Sequence, residues 1–295
     1  MAVGETTTGS LTDALPSIIA DARIVKENAG TWQRTCDVRR QKANTGLNWQ
    51  EFALSQIAAQ DITETTNNRN FQQLAGTLFS VEPTMSQIIL KITDRTFRKL
   101  SSIVIGKFGS LSGNAMIRKD DEDYLALFST FATTASPGAG NPLSFGHIAA
   151  AKSNITSNTT EPSLAEVFSV LHGFQIKDIQ DEVLAGVGTY TIPEGMTADV
   201  FRMGFSGTVA GSNVFEDGNI TIDSNTDAPG ATHSREGVVA IIGLDRKPET
   251  DRDLYFGGGA DVISLVSEKA FAERKSGTTQ VWAYLHLSDA TAPTS

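Results

Sequence analysis

Four histidines, His147, His172, His233 and His286, are the first candidates for acid-base or metal chemistry in this chain of 295 residues. A zinc site of the HExxH kind needs two histidines one helical turn apart, because that spacing aims both rings at one ion. None of the four has this spacing or a dense acidic neighbourhood. The stretch "GFSGT" at 204–208 is one residue short of the G-x-S-x-G elbow that exposes a nucleophilic serine, since Thr208 stands where the final glycine belongs. Ser206 with one of the histidines is therefore the hydrolase alternative to be tested. "GGGA" at 257–260 lacks the Lys and Ser/Thr of a phosphate-binding loop, and "KDDED" at 119–123 lacks EF-hand spacing and reads as a solvated helix face. Cys36 is the single cysteine, which excludes an intrachain disulfide and a multi-thiolate zinc site, and it reads as an inert small residue. No catalytic constellation emerges, so the expectation is a protein that is not an enzyme and takes no cofactor or metal.

His172 lies in "EVFSVLHGFQIKDI", where an apolar strand pattern runs into an amphipathic helical one. A histidine at such a joint is expected to be partly buried with a backbone partner. Composition narrows the function classes further. Hydrophobic residues make up 40% and charged residues 20%, as in a soluble globular protein. The longest apolar runs, such as "VVAIIGL" at 238–244, fall well short of the roughly 20 residues that cross a bilayer. No secretory signal is readable, which suggests a cytoplasmic site of synthesis. A net charge of -10 argues against tight binding of nucleic acid, which rests on clustered Lys and Arg. Charge is uneven, with Arg34, Arg39, Arg40 and Lys42 near the start and Glu216, Asp217, Asp223 and Asp227 further on.

The elements that must position these residues follow from periodicity. A helix is predicted over 15–28, and "TYTI" at 189–192 as a strand. Residues 31–58 read as a long polar hairpin turning at "ANTG", with Asn44 and Gly46 supplying positive φ. Such a ribbon is marginal alone and implies a partner surface. "MSQIILKITD" alternates as a strand with Ile88, Leu90 and Ile92 on one face, and a long helix starts near Thr93 or Asp94. Its predicted stripe is Phe97, Leu100, Val104, Phe108, Leu111 and Ala115. A Pro- and Gly-rich break at 135–144 precedes a mixed α/β half with helices at 144–153 and 174–184. Its strands are "EVFSVL", "VVAIIGL", "ADVISLV" and "VWAYLHL". The stretch at 205–237, rich in Gly, Asn and Asp, reads as a long functional loop.

This order resembles the major capsid proteins of tailed bacteriophages, the Hong Kong 97 fold. "VEPTMSQIILKITDRTF" resembles the strand entering the family's spine helix. "AMIRKDDEDYLALF" is similar to the acidic end of that spine, with Asp120 or Asp121 in the family's acidic position, and "SVLHGFQIKDI" to the strand-to-helix joint of the axial lobe, although Gly173 replaces the family's frequent proline. "FSGTVAGSNVF" and the closing segment from "DRDLYFGGGADVISLV" to "VWAYLHLSDA" resemble the segment before the axial loop and the returning strands.

The resemblance implies an α+β fold divided into an N-terminal arm (1–30), an extended hairpin loop (31–70), a peripheral lobe with the spine helix (71–140), an axial lobe (141–244) and return strands of the peripheral lobe (245–295). It implies a shell of hexamers and pentamers around double-stranded DNA, localised in the virion and assembled in the host cytoplasm. Implied contacts between subunits are Arg34, Arg39, Arg40, Lys42, Asn44, Gly46, Asp120 and Asp121. A separate scaffolding protein, a portal and a decoration protein are the further partners expected, with no membrane. Covalent cross-linking through Lys42 is implied only by analogy. An encapsulin-type compartment is the alternative with the same fold.

Overall fold

The computed structural model describes residues 30–42, 44–64, 69, 71–99, 102–159, 161–186, 207–274 and 281–293. In chain order the first elements are α1 (Trp32–Thr35), β1 (Asp37–Arg40), β2 (Trp49–Leu54), β3 (Gly76–Val81), β4 (Thr84–Thr93), α2 (Asp94–Lys99) and α3 (Ser102–Ala126). Then follow α4 (Phe145–Thr156), β5 (Val167–Leu171), α5 (Gly173–Gly186), β6 (Thr208–Val209), β7 (Ser212–Glu216) and β8 (Asp227–Ser234). The last three are β9 (Val238–Asp253), β10 (Ala260–Glu273) and β11 (Ala283–Asp289). The predicted helix over 15–28, the strand "TYTI" and Ser206 lie outside the described residues.

Three sheets form. A long sheet has the order β1-β9-β10-β4, a five-stranded sheet the order β11-β8-β5-β7-β6, and β2 and β3 pair alone. The alternation in β4 is realised as expected: Ile88, Leu90 and Ile92 turn inward while Met85, Gln87 and Ile89 face out. β5 instead is buried at every position, because it is central and covered on both faces. α4 and α5 bury Ile148, Ile176 and Ile179 with Leu171, Val209 and Val214 of that sheet. The two larger sheets share one core, in which Tyr124 at the end of α3 and Phe128 in the turn just after it meet Trp32, Val170, Ala231 and Ala240. Each large side chain buried there contributes roughly 1.5–3 kcal/mol.

His172 marks the joint between β5 and α5. Its Nδ1 accepts the N–H of Phe174 at 3.2 Å, and its own N–H donates to Gln175 Oε1 at 3.0 Å. These reciprocal bonds satisfy backbone donors that a helix start leaves open. Gln175, fully buried, also donates to Ala228 O at 2.8 Å and Ser288 Oγ at 2.7 Å, tying the joint to β8 and β11.

The pairing departs from the sequence reading in four places. The hairpin is made by β2 and β3, Trp49↔Val81 through Leu54↔Gly76, with residues 55–75 between them. Residues 31–42 belong to the body instead: β1 adds to β9 in parallel, Asp37↔Val239 to Arg40↔Ile242, while Trp32, Thr35 and Cys36 are buried. Apolar contacts of that first segment outweigh the polarity of its surface, so Asn44 (φ 63°) and Gly46 (φ 111°) form a turn rather than a hairpin tip. The described part of the stretch at 205–237, from Gly207 on, is not a loop but supplies β6, β7 and β8. β11 joins the five-stranded sheet, Ala283↔His233 to Asp289↔Asp227, and not the long sheet. It does so because His286 and Ser288 are buried with bonds to Thr232 and Gln175. Finally, β9 runs unbroken through 244–245, where the sequence placed a boundary.

Among the described side chains of α3 the buried positions are Ser112, Met116, Asp120 and Tyr124, with Asp121 and Leu125 beside them. This stripe lies one residue beyond the predicted Leu111 and Ala115, while Leu100 and the side chains of Val104 and Phe108 lie outside the described residues. Leu111 and, on α2, Phe97 are left exposed.

Candidate subunit-contact surfaces

The β2–β3 hairpin leaves the body, and its outer face carries apolar side chains beside Gln50 and Ser80. Phe52 and Leu78 are directly paired across the strands, Leu54 lies beside them, and all three are more than half exposed. Leu47, Ile57, Ile62, Phe71 and Leu74 are also exposed in and around this hairpin. Exposed apolar side chains grouped in this way make the hairpin a candidate contact surface.

The hairpin root is clamped by Arg274. This guanidinium, 9% exposed, donates to Asp37 Oδ2 at 2.8 Å, Glu51 Oε2 at 3.1 Å and Glu236 O at 2.6 Å. One side chain thus joins β1, β2 and the turn before β9. Burial raises the Asp37 pKa, but the bonds to Arg274 and Arg39 outweigh it and leave the carboxyl below its ordinary value of 3.8.

A second projection is the turn between β9 and β10. Arg252 bridges Asp94 and Asp261, both at 2.7 Å, and Lys91 pairs with Asp253 at 2.7 Å while lying 3.6 Å from the Phe256 ring centroid. Gly257, Gly258 and Gly259 all hold positive φ, a run that only glycine adopts without strain. The turn presents Leu254 and a wholly exposed Tyr255.

The contact residues expected from the sequence divide into two groups. Arg34, Arg39, Arg40, Lys42, Asn44 and Gly46 are exposed. Arg39 pairs with Asp37 at 3.0 Å and Arg40 with Asp245 at 3.5 Å within the chain. Asp120 and Asp121 are not on the surface, which corrects their reading as a solvated face and as outward contacts. Asp120, 4% exposed, binds Lys269 and, at 2.8 Å, Arg246, and the Lys269 ammonium stands 5.2 Å from the Trp32 ring centroid. Asp121 accepts the N–H of Thr31 and the amide of Asn219. The partners lie about 90 to 150 positions away along the chain, so the linear run of acids hid them.

The histidines are structural. His147 caps α4 through Ser144 Oγ at 2.6 Å. His233 Nε2 is 2.7 Å from Tyr124 Oη, and His286 Nε2 is 2.8 Å from Thr232 Oγ1. Burial pushes both of these down to about 4, so they are neutral near pH 7. Burial, with smaller contributions from the charges of Asp121 and Asp37, sets the Cys36 thiol well above its usual range, against weaker opposing bonds from Thr35 and Tyr124. Among the described residues no group of three His, Cys, Asp or Glu could hold a metal ion, and no helix is long and apolar enough to cross a membrane.

No protein-family model matches the chain, and no curated protein sequence matches it. Solved structures do. The capsid of Ralstonia phage GP4 is similar at TM-score 0.68 and 10% identity, with 95% of this chain and 96% of that chain covered. The capsid of the cyanophage P-SCSP1u gives 0.67 and 11%, covering 98% and 97%. The mature capsid of bacteriophage PhiM1 gives 0.65 and 9%, covering 95% and 93%. These chains agree in length and path while sharing few residues, so what they hold in common is the backbone arrangement. The chain therefore has the fold of bacteriophage capsid proteins.

Proposed function

We propose that this chain is a structural major capsid protein, assembling as hexamers and pentamers into an icosahedral virion shell around double-stranded DNA. The observation that carries the reading is end-to-end similarity to capsid chains, 93% to 97% of whose length is covered in the three cases above. The projecting apolar hairpin, exposed yet clamped at its root, supports it as an arm that reaches a neighbouring copy. In the Hong Kong 97 layout the hairpin, α2, α3 and the long sheet form the peripheral lobe. The axial lobe comprises α4, α5 and the five-stranded sheet, β11 included. Many weak contacts repeated around a closed shell give strong assembly. The acidic balance suits a wall that must not hold the genome during packaging. A separate scaffolding protein, a portal and a decoration protein are the partners proposed, with assembly in the host cytoplasm and no catalytic step.

Electron microscopy of the particles this chain forms, with their 260/280 nm absorbance ratio, tests the reading. Closed shells containing DNA are expected, and shells filled with a protein cargo would instead indicate a storage compartment. Phe52→Ser combined with Leu78→Ser should abolish shells while changing the stability of the unassembled chain by less than about 0.5 kcal/mol. Normal shells from this double variant would sink the role assigned to the hairpin.

A further inference from the structure

Residues 1–29 join the described fold at Gly30, and that junction is held by two buried carboxylates. Asp121 on α3 is fully buried and Asp217, just after β7, is 2% exposed. Thr31 donates its N–H to Asp121 Oδ1 and its hydroxyl to Asp217 Oδ2, both at 3.0 Å. Asn219 donates its side-chain amide to Asp121 Oδ2 at 2.9 Å and its N–H to Asp217 Oδ1 at 3.0 Å. The chain passes so close that a β-carbon on Gly30 would sit 2.6 Å from Asp121 Oδ1. Three segments remote in sequence thus meet at one pair of acids.

Four neutral donors satisfy the four oxygens, and among the described residues no Lys, Arg or His is ion-paired with either carboxylate. Thr31 and Asn219 each bridge the two carboxyl groups, so the acids face the same two residues with no cation between them. Among the described residues the surroundings supply no compensating charge. Tyr124, further along α3, and Cys36 behind it are neutral, their pKa values raised chiefly by burial. Asp120, the neighbour on α3, takes Lys269 and Arg246 for itself, and Asp37 takes Arg39 and Arg274. On the β7 side, Glu216 is packed against Gly173.

We propose that the Asp121–Asp217 pair is a proton-operated latch. With Asp121 protonated, it clamps Thr31 to α3 and to the turn after β7. With Asp121 ionised, repulsion within the pair frees the start of the described fold. The direction follows from the Asp121 environment: burial raises its pKa from 3.8 to about 6, Asn219 and the Thr31 N–H opposing and the Asp217 charge adding. The folded state therefore binds this proton more tightly than the unfolded chain. The clamp's contribution is complete below 3.8 and is lost as pH rises through about 6. The inference does not depend on the capsid reading.

Hydrogen exchange of the full chain, followed by mass spectrometry at pH 5 and pH 7.5 and corrected for the intrinsic pH dependence of exchange, tests it. Protection of peptides covering 30–36 and 217–222 should fall by about tenfold or more at the higher pH, one pKa unit of linkage being a factor of ten, while β5 and β10 stay unchanged. Asp217→Asn, whose amide mimics the protonated acid, should keep its protection at both pH values, and Asp121→Asn gives the same comparison from the other side. Equal protection in the unmodified chain at the two pH values would overturn the proposal, as would a uniform loss of protection along the whole chain.

Discussion

Arg274→Ala is the sharpest test of how the hairpin is held. The substitution removes three charge-assisted bonds, to Asp37, Glu51 and the Glu236 carbonyl, from a side chain only 9% exposed. Breaking a buried ion pair from one side costs about 3–5 kcal/mol, because the other charge is left in a poor medium. Here Asp37 keeps Arg39, and both acids are wet enough to recover some hydration. The expected cost is therefore near the lower end, about 3 kcal/mol. Urea unfolding of the unassembled chain at pH 7 measures it, and hydrogen exchange locates it. Amides of β2 and β3 should exchange faster while those of β4 and β5 hold. The wild-type contribution has a defined pH window. Because the Asp37 pKa is lowered, the clamp is fully present above the ordinary value of 3.8 and is lost as pH falls below it. Arg274→Lys should recover only part of the loss, since one ammonium cannot reproduce the fork. A cost under about 1 kcal/mol, the range of an exposed surface pair, would refute the idea that this residue clamps the hairpin root.

Two further outcomes are expected. Asp120→Asn leaves Lys269 and Arg246 facing each other without their shared acid, and should lower stability by about 3–5 kcal/mol. Chemical denaturation should show it, whereas a change near zero would mean that the acid is hydrated after all. His233 and His286 act in the opposite pH direction to the Asp121 pair. With pKa values lowered to about 4 from 6.5, each contributes stability that is present above 6.5 and lost as pH falls through about 4. The loss is up to about 3 kcal/mol per ring. His233→Gln should flatten that acid limb in a stability-against-pH curve, and an unchanged limb would show that the ring is not held neutral.

Local chemistry was readable in the sequence, and long-range pairing was not. The faces of β4, the start of α2 at Asp94 and the joint at His172 all follow from spacing and side-chain type, because they involve neighbours on one element. Asn44 and Gly46 do adopt positive φ, so the turn was legible even though the hairpin built upon it was not. What decided the matter was the parallel union of Asp37–Arg40 with Val239–Ile242, about 200 positions away. The acids of α3 failed for the same reason. Nothing in "KDDED" distinguishes a solvated face from two residues awaiting Lys269, Arg246 and Thr31. In β11 the sequence named the strand but not its surroundings: residues 133–136 bond to its outer edge, and no position of it is exposed.

The long sheet also carries an irregularity where Val266 pairs with Lys247, Glu268 with Leu244 and Lys269 with Ile242. From Ile242 to Lys247 the chain takes five steps along β9 against three along β10, so two surplus residues are absorbed there. Losing one of them would turn every side chain beyond that point to the opposite face, carrying Arg252 away from Asp94. Losing two would restore the faces and shorten only the strand. Insertions and deletions accepted in this stretch during evolution should therefore come in pairs.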